Sequence, residues 1–239
     1  MPLKNQKIVV VGGSSGMGLA AAQALAKTGA VVVIAGRSQE KLDKSKSTIS
    51  GDVQTCSLDF TNESMVRDFF IETGKIDHLV VAAAGIPAWG AFLELDMAAL
   101  RSAFDTKFWG QFYCTRYAVP HLRPDGSVTL FIGAACRTAI PGTAGLAAVN
   151  GAIMQMAYTL AKELAPLRVN AISPGMVDTP AYDWMNLEKK QAMFEQTGKS
   201  LPVKRIGRPD EVAEAVVFLV SNGFVTGTVL DIDGGASLS

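Results

Sequence analysis

Charge is scarce in this chain of 239 residues, at 18% Asp, Glu, Lys and Arg, and it is balanced, with 22 basic against 22 acidic residues. No basic or acidic run occurs, which argues against nucleic acid or an anionic membrane as a partner. Cysteine is almost missing. Cys56, Cys114 and Cys136 are odd in number, widely spaced and without a C-x-x-C, which argues against a disulfide framework or a structural zinc site. They read as small buried apolar residues. His78 precedes a strand-like run and His121 follows Pro120; both read as structural, and no metal is expected. Long hydrophobic runs are absent at the start, where MPLKNQKIVVVGG leads into only four apolar residues, too few for a signal-peptide core or a membrane span. A cytoplasmic location is expected. What the chain does have is apolar content: 49% hydrophobic residues and a mean hydropathy of +0.24. That is enough for one large core and for apolar surface that a homo-oligomer, dimer or tetramer, would cover.

KIVVVGG, AVVVIAG, HLVVAAAG, SVTLFIGAA, RVNAISPG and TVLDIDGG read as strands, separated by apolar segments of helical period. Such alternation predicts an α/β fold, a doubly wound parallel sheet with helices on both faces, and near-continuous Val and Ile runs fit strands buried on both sides. No repeat, low-complexity stretch or linker divides the chain, so a single domain is expected over residues 1–239.

The first strand runs into VGGSSGMGLAAAQALAKTGA, a glycine cluster opening a helix that stops at Gly29. Gly12 permits the tight turn, Gly16 lets backbone approach a pyrophosphate, and Gly18 lets the helix pack closely, with Ser14, Ser15 and Met17 between them. The helix N-terminus adds unpaired N–H groups for the anion. Placed between first strand and first helix, this loop predicts dinucleotide binding rather than a purely structural turn. The second strand ends AGRS, with Gly36 where an NAD-preferring protein carries an acid. Arg37 can pair with a 2′-phosphate and Ser38 can add a hydroxyl, so NADP(H) is the expected cofactor.

These motifs, in this order, make the chain resemble the short-chain dehydrogenase/reductase family over essentially its whole length, which implies a single-domain Rossmann fold. GGSSGMG looks like the family's cofactor loop, LDFTN its adenine contact at Asp59 and Phe60, and AAAG its usual N-N-A-G at Ala82 to Gly85, with Ala83, Ala84 and Gly85 among the cofactor contacts. RVNAISPGMVDTP resembles its cofactor-closing segment, which implies Pro174, Gly175, Val177 and Thr179 at the nicotinamide end. In AYTLAKEL, Tyr158 and Lys162 have the spacing of the family's catalytic tyrosine and lysine. Counting back from RVN, however, with NGAI matched to the family's K-G-A or K-A-A, puts the lysine position at Asn150 and the tyrosine position at Leu146. Tyr158 and Lys162 then lie three turns too far along the helix, about 18 Å at 1.5 Å per residue, and read as a decoy. The same register places Gly133 at the family's serine and Lys107 at its asparagine.

In the family mechanism hydride leaves the nicotinamide for a carbonyl, the tyrosine supplies the proton and the serine orients the substrate oxygen. Leu146 and Gly133 supply neither function, so ordinary carbonyl reduction is not expected. Lys107 and Asn150 look like an exchange of the family's asparagine and lysine, which would keep an ammonium and an amide in one neighbourhood. In that place Asn150 could also bind the nicotinamide ribose; the alternative for Lys107 is to snorkel to solvent. Other polar candidates near the pocket are Trp89, Arg137, Thr138, Asp183 and Tyr182, the last a possible lid phenol or lid packing. Three readings follow: a divergent oxidoreductase acting on a small molecule, a catalytically silent NADP(H)-binding regulatory module, and a structural subunit.

Overall fold

The computed structural model describes residues 3–82 and 88–238. Its centre is a parallel sheet of seven strands, β1 (Lys7–Val11), β2 (Val31–Gly36), β3 (Val53–Ser57), β4 (Ile76–Val81), β5 (Leu122–Phe131), β6 (Arg168–Pro174) and β7 (Val229–Ile232), in the order β3-β2-β1-β4-β5-β6-β7. The order reverses between β1 and β4, and ligands of such sheets bind in the crevice beyond the strand C-termini at that point.

Period-2 alternation splits the strand residues between two cores. Val9, Val11, Val33, Leu79 and Val81 face one side, with α3 (Glu63–Thr73), α5 (Gly110–Ala118) and α6 (Ala144–Glu163). Ile8, Val10, Val32, Ile34 and Val80 face the other, with α1 (Gly16–Lys27) and α8 (Pro209–Ser221). Runs of Val and Ile therefore mark strands buried on both faces. The shorter helices α2 (Gln39–Lys46), α4 (Met97–Ala103) and α7 (Leu187–Ser200) complete the layers. Local chemistry sets their ends: Ser38 Oγ accepts the Lys41 N–H at 3.3 Å, Asn62 Oδ1 accepts that of Met65 at 3.1 Å, and Gly29, at φ 85°, ends the turn after α1.

The apolar pattern identifies six of these strands and misses β3. VQTCS lies at the sheet edge with β2 as its one neighbour, and Gln54 is exposed, so this strand needs no continuous apolar run. His78 is buried in β4, where its Nδ1 meets Ser127 Oγ at 2.8 Å and its Nε2 meets Gln6 Oε1 at 2.7 Å. Burial, reinforced by the Arg168 charge, lowers its pKa to about 4 and keeps the ring neutral. Among the described residues, no helix is long and apolar enough to cross a membrane.

Candidate active site

The loop between β1 and α1 is shaped by backbone requirements. Gly12 has φ 83°, and its N–H donates to Ala35 O at 2.8 Å, which fixes the turn to β2. A Cβ on Gly18 would run into the Gly12 carbonyl, so only glycine lets the helix start this close to the strand. Ser15 is the N-cap of α1, yet its side chain makes no capping bond and the first turn holds no acid. The amides of that turn and the positive end of the helix thus remain open to an anion. Ser14 and Met17 line the same turn, and Ser45 Oγ donates to Ser14 O at 2.9 Å, bracing the loop from α2. Gly16, at φ 52°, lies under the segment after β6: a Cβ there would sit 3.4 Å from Thr179 Cβ.

At the end of β2, Gly36 leaves the edge free of side chain. Arg37 is exposed, and its guanidinium makes no ion pair among the described residues. The Ser38 hydroxyl caps α2 as an acceptor, which leaves its proton free to point elsewhere. Asp59 is held by Thr61, whose Oγ1 donates to Oδ1 at 2.7 Å. Phe60 is buried, its ring against Gly110, and Val177 is likewise buried in the α8-side core, so both have only backbone to offer a ligand. Pro174 ends β6, and Gly175 N–H donates to Ile232 O at 3.1 Å. The expected contacts at Ala83, Ala84 and Gly85 lie outside the described residues.

The corner opposite the phosphate loop is built differently. Between α4 and α5 the helix widens into a π-turn, Phe104–Trp109, that carries Lys107. One turn on, buried Gln111 clamps the end of β5: its Nε2 donates to Phe131 O at 2.8 Å and its Oε1 accepts the Phe131 N–H at 3.2 Å. Lys107 does not reach outward. Its Nζ donates to Asn150 Oδ1 at 2.7 Å, and Asn150 is buried on α6. The other N–H bonds of the ammonium have no acceptor among the described residues. Burial lowers its pKa from 10.5 to about 8.

Gly133, just past β5, faces the same amide: a Cβ there would lie 3.3 Å from Asn150 Nδ2. The Asn150 side chain thus lies close against the place of a residue-133 side chain, which would have to push it by a few tenths of an ångström, while also receiving Lys107. Gly133, Asn150 and Lys107 form one packing unit, and Leu146, half-buried one turn before Asn150, adds no polar group. Half-buried Cys136 donates its thiol to Gly133 O at 3.4 Å, and burial raises its pKa. Tyr158 and Lys162 sit on the far half of α6, the former half-buried and the latter exposed.

The other polar candidates are engaged. Arg137 pairs with Asp231 at 2.9 Å, and Thr138 Oγ1 donates to Ala134 O at 3.1 Å. Tyr182 stacks edge-on against Phe194 at 5.3 Å, and burial raises its phenol pKa, the wrong direction for a proton donor near neutrality. Asp178 and Asp183 both pair with Lys190, at 3.2 and 2.9 Å, which ties this segment to α7. Trp89 is 64% exposed on a loop whose Gly90 N–H donates to Gly142 O at 3.0 Å.

Sequence reading missed Gln111, although one polar residue within FWGQFYC was a usable signal, and it missed Cys136 as a neighbour of Lys107.

A doubly wound sheet with a glycine-shaped anion loop at its switch point defines a dinucleotide-binding α/β protein. Comparison with known proteins narrows the class. The family profile described as enoyl-(acyl carrier protein) reductase matches residues 11–237. The chain is 30% identical to human dehydrogenase/reductase SDR family member 4, over 98% of this chain and 88% of that protein. It superposes on a crystal structure of a small-chain dehydrogenase in complex with NADPH, with a TM-score of 0.85, 36% identity, and coverage of 99% of this chain and 100% of that one. It also superposes on the MalC reductase/Diels-Alderase of Malbranchea aurantiaca, with a TM-score of 0.90, 26% identity, and coverage of 99% and 98%. The chain belongs to the short-chain dehydrogenase/reductase family.

Proposed function

We propose that this member of the family is an NADP(H)-dependent oxidoreductase with a non-standard active site, acting on a small molecule. The observation that carries the cofactor is the phosphate loop together with Gly36 and the unpaired Arg37. In this reading the Gly12–Gly18 turn takes the diphosphate, Arg37 and Ser38 the 2′-phosphate, Asp59 and the Phe60 backbone the adenine, and Ala83 to Gly85 the adjoining ribose. Asn150 takes the nicotinamide ribose, and Pro174, Gly175, Val177 and Thr179 the nicotinamide. The bound dinucleotide supplies hydride; the chain's residues orient it and handle the proton. A second copy packs on the half-exposed face formed by the π-turn, α5 and α6 around Phe108 and Phe112.

Calorimetric titration of the nucleotide-free protein tests the cofactor. NADPH binds at micromolar affinity or better, and NADH at least about tenfold more weakly, since a charge-assisted guanidinium–phosphate bond contributes about 1.5–3 kcal/mol. Arg37→Ala removes the preference. Equal binding of both nucleotides by the wild type refutes the assignment to NADP(H).

Leu146 and Gly133 favour a second reading, a catalytically silent NADP(H)-binding subunit. It predicts nucleotide binding with no protein-dependent NADPH oxidation by any carbonyl.

A further inference from the structure

We propose that the Lys107 ammonium is the proton donor of this site, reached from the opposite helix, and that it serves an apolar, electron-poor carbonyl such as a 1,2-dicarbonyl or a quinone. This rests on the NADP(H) reading above.

Geometry carries the assignment. Gly133 lies just past the C-terminal end of β5, so the Gly133, Asn150 and Lys107 unit sits at the strand edge where ligands of this sheet class bind. Asn150 Oδ1 fixes Nζ at 2.7 Å, and Asn150 itself lies one helical turn after Leu146, which has no proton to give. The remaining N–H bonds of the same cation lack acceptors among the described residues. A partly buried cation with open donors is satisfied by an oxygen on which negative charge develops.

When the carbonyl carbon receives hydride from the bound dinucleotide, the carbonyl π-pair moves to oxygen. The Nζ–H bond breaks as the O–H bond forms. Lys107 is left as a neutral amine, which burial tolerates, and it regains its proton from solvent. The nicotinamide is oxidised and the carbonyl reduced, so the step balances.

The class of substrate follows from what else is present. Without a serine hydroxyl and a tyrosine phenol the carbonyl must be reactive already, since each such group is worth roughly 10²- to 10⁴-fold. The loops after β4, β5 and β6, which all leave the sheet at this edge, expose Trp89 (64%), Phe92 (77%), Ile140 (55%) and Trp184 (80%), apolar side chains on the same edge as the partly buried Lys107.

Few titratable groups face Lys107. Cys136 on the β5–α6 loop does, with its thiol kept protonated by burial; Arg137 beyond it is turned to Asp231. Neighbouring α6 positions are uncharged, and Asp105 on its own turn is exposed.

The test compares wild type and Lys107→Met in two measurements after NADPH affinity has been measured for each. The first is NADPH oxidation with 9,10-phenanthrenequinone; the second is binding of 4-nitrophenol to the NADP⁺-loaded protein, followed by phenolate absorbance. Expected results are a loss of about 100-fold in oxidation rate, and a bound phenol that ionises at lower pH than the free one only in wild type, with NADPH affinity unchanged. NADPH binding with equal rates in both proteins, no oxidation in wild type, or no phenolate stabilisation overturns the proposal alone. Absence of NADPH binding in wild type overturns the cofactor reading and the proposal with it.

Discussion

The phosphate loop and the Lys107 corner stand on the same edge of one sheet, yet they obey different rules. At the loop each residue answers a local demand: Gly12 adopts a positive φ, Gly18 admits a carbonyl, and Ser15 leaves amides uncapped. At the corner no residue is dictated by its own backbone. Lys107, Gly133 and Asn150 make sense only together, since the amide that receives the ammonium also lies tightly against the open side of Gly133. The contrast teaches that a loop shaped by backbone can be read position by position, whereas a corner built from side chains on three elements is read only as a set.

The strongest way to break that contrast is to change the set at once. Gly133→Ser, Leu146→Tyr, Asn150→Lys and Lys107→Asn together are expected to raise NADPH-dependent reduction of a simple ketone by about 10²- to 10⁴-fold, while Leu146→Tyr alone leaves it at background. Steady-state rates for both variants decide; substantial activity from the single variant would show that the positions act independently.

At the loop a single change should suffice. Gly18→Ala, whose Cβ collides with the Gly12 carbonyl, is expected to weaken NADPH binding about 100-fold, roughly 3 kcal/mol, in calorimetry. Retained affinity would mean that the loop yields as readily as a side chain does.

The smallest effect sharpens the comparison from the side of stability. The Lys107 pKa falls from 10.5 to about 8 on folding, so between those values the unfolded chain binds more protons and stability rises with pH. Below about pH 8 the full cost of burying the ammonium is present. Lys107→Met is therefore expected to stabilise the fold at pH 7, by about 2 kcal/mol. The gain should shrink as pH approaches 10.5, read by denaturant unfolding at several pH values. A destabilised variant would mean that the bond to Asn150 outweighs desolvation.

How much was visible beforehand follows the same division. The loop could be read from its glycines because turn geometry and close packing are written within a few residues. The five inner strands could be read because burial on both faces demands continuous apolar runs, and the edge strand β7 because Val229, Leu230 and Ile232 keep it apolar; β3, the other edge, carries Gln54 and Thr55 and escaped. Counting from flanking motifs singled out Leu146, Asn150, Gly133 and Lys107, but not whether Lys107 turned inward. That contact spans 43 positions and runs through a π-turn, whose widened register changes where a side chain points. Gln111 escaped because its partners are backbone atoms of a strand 20 positions away.

The space beside Gly133 also links a change at one position of the corner to the other two. Because the Asn150 amide would lie 3.3 Å from a Cβ at position 133, any side chain there obliges Asn150 to give by a few tenths of an ångström, and that shift is passed to the Lys107 ammonium bonded to the same amide.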